Sequence, residues 1–491
     1  LQKKLSSIAV DIGASSGRVM LGKYDGNAIK LTELHRFTNT PVYTVGTLYW
    51  DILSLYKEMK YGLNVASKNT GISISSIGID TWGNDFGLLD NKGKLLGNPV
   101  HYRDNRTEGM MEKVFARVSK WDIYQQTGIQ FMRVNGLYQL FSMVNKNDPV
   151  MEIAEKILTI PDLLVYFITG EAVSEFTNAS TMQLFNSSKY DWAYELIHEL
   201  GISGKIFPQV VKPGTILSKL SKDVLDYPPY KNTQVVSVAQ HDTGSAVAAI
   251  PASIENFVYI SSGTWSLMGV EVKNPIINEK TFQFNFTNEG GVFDTFRLLK
   301  NVMGLWILQE CKRGWDLDEG SISFAELETL GYASKPFKCF IDPDDERFIS
   351  PGNMPAKITD FCYETGQDLP ANKGEFIRCI MESLALKYRY VLEMIEQITN
   401  KNYEAIHIVG GGAKDRMLCE FTADSTSRKV VAGPSEATAA GNLLMQLAAL
   451  GEIHSLSEVR QIARNSFLTE EYTPKNHCEW DRAYDKFLKF I

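Results

Sequence analysis

Two short turns rich in Gly, Ser and Thr, one in each half of the chain, constrain its fold more than any other feature. The first, Asp11-Ile12-Gly13-Ala14-Ser15-Ser16-Gly17-Arg18, follows the apolar run Ile8-Ala9-Val10 and leads into Val19-Met20-Leu21. The second, Ser261-Ser262-Gly263-Thr264-Trp265-Ser266, follows Val258-Tyr259-Ile260 and leads into Leu267-Met268-Gly269-Val270. Each reads as a strand, a tight turn and a returning strand. Small residues let backbone N–H groups surround an anion, and the hydroxyls add donors. Two such turns suggest the phosphates of a nucleotide held between two related domains. Between them lies Ala239-Gln240-His241-Asp242-Thr243-Gly244-Ser245, whose acid is placed to serve as a base. Phosphoryl transfer is the chemistry this pattern predicts.

At 491 residues the chain exceeds one ordinary core, so two or more domains are expected. The net charge is −8 and no run of five or more basic residues occurs, which argues against nucleic acid as the main partner. The six cysteines (311, 339, 362, 379, 419 and 478) show no C-x-x-C or zinc-like spacing. Free thiols in a reducing cytoplasm are expected, with a local Cys362–Cys379 bridge left open. The first apolar run stops at Asp11, short of a secretory core, and nothing approaches the roughly 18–20 apolar residues of a membrane span. A cytoplasmic protein without a membrane partner is the expectation.

Strands are predicted at Ser75–Asp80 and Asp85–Leu89, with a hairpin turn at Asp90-Asn91-Lys92-Gly93. Asp51 caps a helix whose apolar face runs Ile52, Leu55, Met59 and Leu63. A more helical stretch covers about 107–200, with Pro161 and Gly170 bracketing one helix. Strand Val235–Val238 delivers the His241-Asp242 segment, and a helix is expected from Ser245 to Ile250. Pro251 and the polar residues to Asn256 mark the boundary, giving domains 1–250 and 251–491. The second half holds a long amphipathic helix from about Gly374 to Thr399, then strand Ala405–Val409, Gly410-Gly411-Gly412 and a helix. Strand Lys429–Ala432 and a helix over about 435–449 follow. This alternation is α/β logic.

Several further segments identify a family. Gly78-Ile79-Asp80-Thr81-Trp82-Gly83, Tyr102-Arg103-Asp104, Asn288-Glu289-Gly290-Gly291 and Leu299-Lys300-Asn301-Val302-Met303-Gly304-Leu305-Trp306 join the turns, His241-Asp242-Thr243 and Val409-Gly410-Gly411-Gly412 in one ordered set. The set, spanning about 8–449, resembles the FGGY sugar-kinase family. The resemblance implies an actin-like ATPase (ribonuclease H-like) architecture of two α/β domains with an interdomain cleft. It implies transfer of the ATP γ-phosphoryl group to the 1-hydroxyl of a ketose with Mg²⁺ as cofactor, in a monomer or small homo-oligomer. L-Rhamnulose is the expected acceptor, in L-rhamnose catabolism, and L-fuculose or another ketose is the alternative. Asn84 and Gly136 depart from the family's pattern in segments expected to face the sugar.

The same resemblance assigns roles. Asp242 is the expected base; its other reading is a helix cap. His241 and Thr243 flank it as sugar contacts, with a core histidine the alternative for His241. Asp11 orients water around Mg²⁺ or else stabilises its hairpin as an Asx-turn. Ala14, Ser15, Ser16, Gly17 and Arg18 hold the ATP phosphates, Arg18 neutralising developing charge unless it is simply a solvated strand residue. Thr264 is the matching contact from the second domain, Gly411 underlies the adenine or ribose, and Gln309 reaches the nucleotide or faces solvent. Gly83 and Asn301 are the remaining sugar contacts. Trp82 packs on the sugar or in a core, and Asp80 and Arg103 either touch the sugar or make internal pairs and caps. Two other classes fit the same scaffold: an actin-like ATPase without a sugar acceptor, and a silent sugar-binding regulator.

Overall fold

The computed structural model describes residues 4–70, 73–221, 224 and 230–491. The chain divides into two compact units. One comprises Leu1–Ser253, Glu271–Leu299 and Ala437–Phe467, the other Ile254–Val270, Lys300–Glu436 and Leu468–Ile491. Two segments of the C-terminal half, Glu271–Leu299 and Ala437–Phe467, are thus built into the first unit.

The first unit is organised on a sheet whose described strands run Thr215–Lys219, Gln234–Ser237, Ser76–Thr81, Leu5–Ile12, Ser16–Tyr24 and Ile29–Thr38. Gln234–Ser237, Ser76–Thr81 and Leu5–Ile12 are mutually parallel, and the flanking pairs are antiparallel. The parallel strands are apolar on both faces because helices cover both. On one side the helix Ile52–Thr70 presents Ile52, Leu55, Met59 and Leu63, all buried with Ile8, Val10 and Ile12. Asp51 caps it as predicted, Oδ1 accepting from Ser54 N at 3.1 Å. The alternate residues Ala9 and Met20 pack on Ala439 and Leu443 of the helix Ala437–Ala449, and Gln446 Nε2 donates to the Ile8 carbonyl at 2.9 Å. The predicted turn at Asp90–Gly93 is present, but Phe86–Leu89 forms its ladder with Lys156–Thr159 and keeps only an isolated bridge to Leu95.

The second unit repeats the plan. Trp265–Val272, Phe257–Ser262, Ala405–Val409, Lys429–Ala432 and Glu470–Tyr472 lie side by side, the middle three parallel and the outer two antiparallel to their neighbours. In both units a hairpin opens the sheet, two parallel strands follow on the side of its first strand, and an antiparallel strand closes the series. The helix Lys373–Thr399 buries Ile377, Ile380, Met381, Leu384, Tyr388, Val391, Leu392 and Ile395, the face its periodicity predicted. Among the described residues no helix is long and apolar enough to cross a membrane.

Candidate active site

In the first unit three carboxylates gather at the C-terminal ends of the parallel strands, where open α/β sheets bind ligands. Asp11 and Asp80 are direct partners in the ladder, and a bridge from Thr81 to His241 brings the third segment alongside. Burial pushes the Asp80 carboxyl well up, and the negative charges of Asp11 and Asp242 push it further. Asp80 Oδ2 accepts from Asn442 Nδ2 at 2.5 Å, while Oδ1 is buried with no partner among the described residues. Among the described residues Asp80 is thus neither a cap nor half of a salt bridge. Asp11, nearly buried, accepts from Arg18 Nε at 2.9 Å, so Arg18 is an ion-pair residue rather than a solvated one. The neighbouring Asp11 and Asp80 carboxylates, one with an unsatisfied buried oxygen, are the hard ligands that Mg²⁺ takes, and that ion needs only one or two of them.

The first turn is closed by Gly13 N donating to Ser16 O at 2.9 Å, and Asn39 braces it from outside through Ser15 O and Gly13 O, both at 3.0 Å. Ser15 and Ser16 are exposed and Ala14 half-buried, which leaves the turn's tip open to an anion. Gly17 is fixed by packing, since a Cβ there would overlap the Phe37 ring.

The helix after strand Gln234–Ser237 runs Asp242–Ala248, so it starts three residues before the predicted Ser245. Asp242 is its first helical residue, and His241 occupies the cap position, its side chain making no capping bond. Asp242 Oδ1 accepts from Thr243 N at 2.6 Å and from Thr243 Oγ1 at 3.2 Å. The side chain is 30% exposed. Its second oxygen has no hydrogen-bond partner among the described residues, which leaves it available to a ligand hydroxyl. His241 is buried: Nε2 lies 3.5 Å from Asp242 Oδ1, and Nδ1 lies 3.2 Å from Glu289 and 3.1 Å from Arg297. Glu289 and Arg297 pair at 3.0 Å, both almost wholly buried. Burial alone would raise the Glu289 carboxyl, but Arg297 and His241 outweigh it and hold it below its ordinary value. The role of this pair escaped the sequence reading. Its signal was a cross-strand match, since Glu289 and Arg297 face each other across the Thr287–Gly290 and Phe296–Met303 strands.

Gly83 touches Thr181, where a Cβ would come to 2.8 Å from Oγ1. Asn84 takes a left-handed conformation, φ 73°, with its N–H donating to Thr181 Oγ1 at 3.0 Å. A Cβ on Gly136 would come to 3.0 Å from the Asn84 carbonyl oxygen, so the two departures from the family pattern pack on one another. Trp82 is a core residue: its ring lies 4.2 Å from that of Trp50, and both indoles donate to Asp85 Oδ2. Arg103 stacks over the Tyr102 ring.

In the second unit the turn closes more tightly, Gly263 N donating to Trp265 O, two residues on, at 2.8 Å. Thr264, half-buried, accepts through its carbonyl from Gly304 N and Trp306 N, which docks the start of helix Trp306–Glu319 on the turn. Gln309 sits in that helix's first turn, half-buried. Gly410, at φ 82°, and Gly412 press on Ser262, whereas Gly411 is exposed with nothing near its Cβ position. An open glycine beside two closed ones is a surface on which a planar ring can lie against backbone. Asn301, half-buried on the strand Phe296–Met303, also falls in the second unit. Cys362 and Cys379 are free buried thiols, and with Cys339 their sulfurs lie within 4.8 Å of one another.

Comparison with known proteins places these features in a group. Residues 6–249 match the N-terminal domain, and 258–450 the C-terminal domain, of the FGGY family of carbohydrate kinases. A rhamnulokinase of Bacteroides thetaiotaomicron is 43% identical over 488 residues, covering 99% of this chain and all of that one. The rhamnulokinase of Bacillus subtilis is 42% identical, with 95% of each covered. Among solved structures, a ligand-bound xylulose kinase from Lactobacillus acidophilus superposes with a TM-score of 0.82 at 16% identity, covering 99% of this chain and 97% of that one. Plasmodium falciparum glycerol kinase with ADP gives 0.77 at 16% identity, covering 99% and 96%.

Proposed function

The chain belongs to the FGGY family of carbohydrate kinases, and from that premise we propose that it transfers the γ-phosphoryl group of ATP to the 1-hydroxyl of L-rhamnulose. The products are L-rhamnulose 1-phosphate, ADP and a proton. Identity above 40% over nearly the full length with proteins named rhamnulokinase supports this acceptor. The observation that carries the chemistry is the convergence of Asp11, Asp80 and Asp242 at one sheet edge.

Asp242 is the base. Thr243 holds one carboxylate oxygen, and the other takes the proton from the sugar hydroxyl as it attacks phosphorus. His241, fixed by Glu289 and Arg297, and Thr243 are sugar contacts together with Gly83 and Asn301. Ala14, Ser15, Ser16, Gly17 and Arg18 receive phosphate oxygens, and Thr264, Gln309 and Gly411 are the remaining nucleotide contacts. Asp11 and Asp80 would hold Mg²⁺, directly or through water, and the ion supplies charge neutralisation for the phosphates when bound.

A ketose panel in a coupled ADP-release assay tests the acceptor, and the highest kcat/KM is expected for L-rhamnulose. A higher value for L-fuculose, the competitor suggested by the Asn84–Gly136 packing, assigns the other sugar. ADP release without any acceptor sinks the kinase reading. For the base, Asp242→Asn is expected to lower kcat by about 10²–10⁴-fold at little cost to the KM for ATP.

A further inference from the structure

Glu175 is wholly buried and ends the two-residue strand Ser174–Glu175, just before the helix Phe176–Ala179. Part of its bonding is ordinary helix capping: Oε1 accepts from Thr177 N at 2.9 Å and Oε2 from Asn178 N at 3.2 Å. The rest reaches a distant segment. Oε2 also accepts from Gln240 N at 3.0 Å, and Thr177 Oγ1 accepts from His241 N at 3.1 Å. The Thr177 hydroxyl donates to Glu175 Oε2 at 2.5 Å, so its proton is committed and its lone pairs face His241.

These contacts matter because of where the sheet stops. Strand Gln234–Ser237 ends four residues before His241, so the amides of Gln240 and His241 lie beyond its ladder. Both are buried, and a buried amide without a partner costs far more than an ordinary bond gains. Glu175 and Thr177 supply those partners on one side, while Thr81 N donates to the Gln240 carbonyl at 2.9 Å on the other. Asn178 Nδ2 adds bonds to the carbonyls of Trp82, at 3.2 Å, and Gln240, at 3.5 Å. The peptide immediately ahead of Asp242 is thereby gripped from both sides. No cation offsets the Glu175 charge among its described neighbours, where Asp162 and Tyr190 are the facing titratable groups.

We propose that Glu175 and Thr177 are positioning residues for the phosphoryl transfer, acting through the Gln240 and His241 amides to set the place of the Asp242 carboxylate. The inference rests on the reading of Asp242 as base. Thr177→Val keeps the shape and removes the hydroxyl, Thr177→Ser keeps the hydroxyl, and Glu175→Gln keeps the size but loses an acceptor. In the full chain, kcat and KM for ATP and L-rhamnulose are measured for each variant. Thr177→Val and Glu175→Gln should lower kcat at least tenfold with the KM for ATP within twofold of the parent, and Thr177→Ser should retain most activity. Introduced into Asp242→Asn, Thr177→Val should add little further loss, because both changes strike one step.

The proposal is overturned if kcat of Thr177→Val stays within twofold, if Ser fails as badly as Val, or if the losses multiply in the Asp242→Asn background. Should Glu175→Gln not fold, the Val and Ser pair decides alone. A fully active Asp242→Asn refutes the base itself. An inactive Asp242→Asn beside a fully active Thr177→Val refutes only the positioning role.

Discussion

Asp11 and Asp80 stand opposite one another at the ends of two parallel strands, two acids in direct register within a buried sheet. Like charges so placed repel, and Arg18 answers them through its Nε pair with Asp11 Oδ2 at 2.9 Å. A bound cation relieves that repulsion. Asp11→Asn or Asp80→Asn should therefore raise the Mg²⁺ concentration for half-maximal rate by about 10–100-fold, measured by titrating Mg²⁺ at fixed ATP. Chelation should abolish turnover in the parent.

The glycine triplet separates packing from ligand contact. Gly412→Ala drives a Cβ into Ser262 and should lower the melting temperature. Gly411→Ala meets nothing in the protein, so the melting temperature should hold while the KM for ATP rises several-fold. Calorimetry beside steady-state kinetics distinguishes the two.

Asp85 carries a pH signature. Burial pushes its carboxyl from 3.8 up to about 6, against bonds from Gln139, Trp50 and Trp82. The native protein thus holds this proton more tightly than the unfolded chain. The stabilisation is full below the unfolded value and is lost as pH rises through 6, a change of roughly 3 kcal/mol. Asp85→Asn cannot titrate. The stability difference between variant and parent should move in the variant's favour by up to about 3 kcal/mol from pH 4 to pH 7, read from urea unfolding.

Gly441 lies in the helix Ala437–Ala449 where it crosses the helix Asp242–Ala248. A Cβ there would overlap the Ser245 carbonyl oxygen, which is backbone and cannot swing aside. Gly441→Ala should cost about 1–3 kcal/mol or more and lower kcat too, because the displaced helix begins at Asp242. A variant with parental stability and kcat would refute this reading of the crossing.

Much of this was legible in the chain itself. The two hairpins, the long helix and the strand ends follow from apolar runs broken by small-residue turns, signals local enough to need no tertiary context. Asp242 was found because its neighbours are unusual together, yet its helix register was missed because Thr243 and Gly244 read as turn residues. The packing alone makes them helical. The Arg297–His241 and Glu175–Gln240 bonds join residues 56 and 65 positions apart in the chain. No periodicity announces such contacts. The assignment of 437–467 to the first unit was likewise hidden, for a glycine inside a helix pattern does not say which neighbour comes close.

That assignment has a consequence for how the chain is made. A ribosome delivers residues in order, and a domain generally folds once its own sequence has emerged. The first unit needs Asn442 for Asp80, Gln446 for Ile8 and Leu443 for Ala9. Its sheet must therefore wait, one face uncovered, through the synthesis of nearly the whole second unit. A fragment ending at residue 250 should collect as insoluble material, and co-expression with a fragment carrying 251–491 should rescue it.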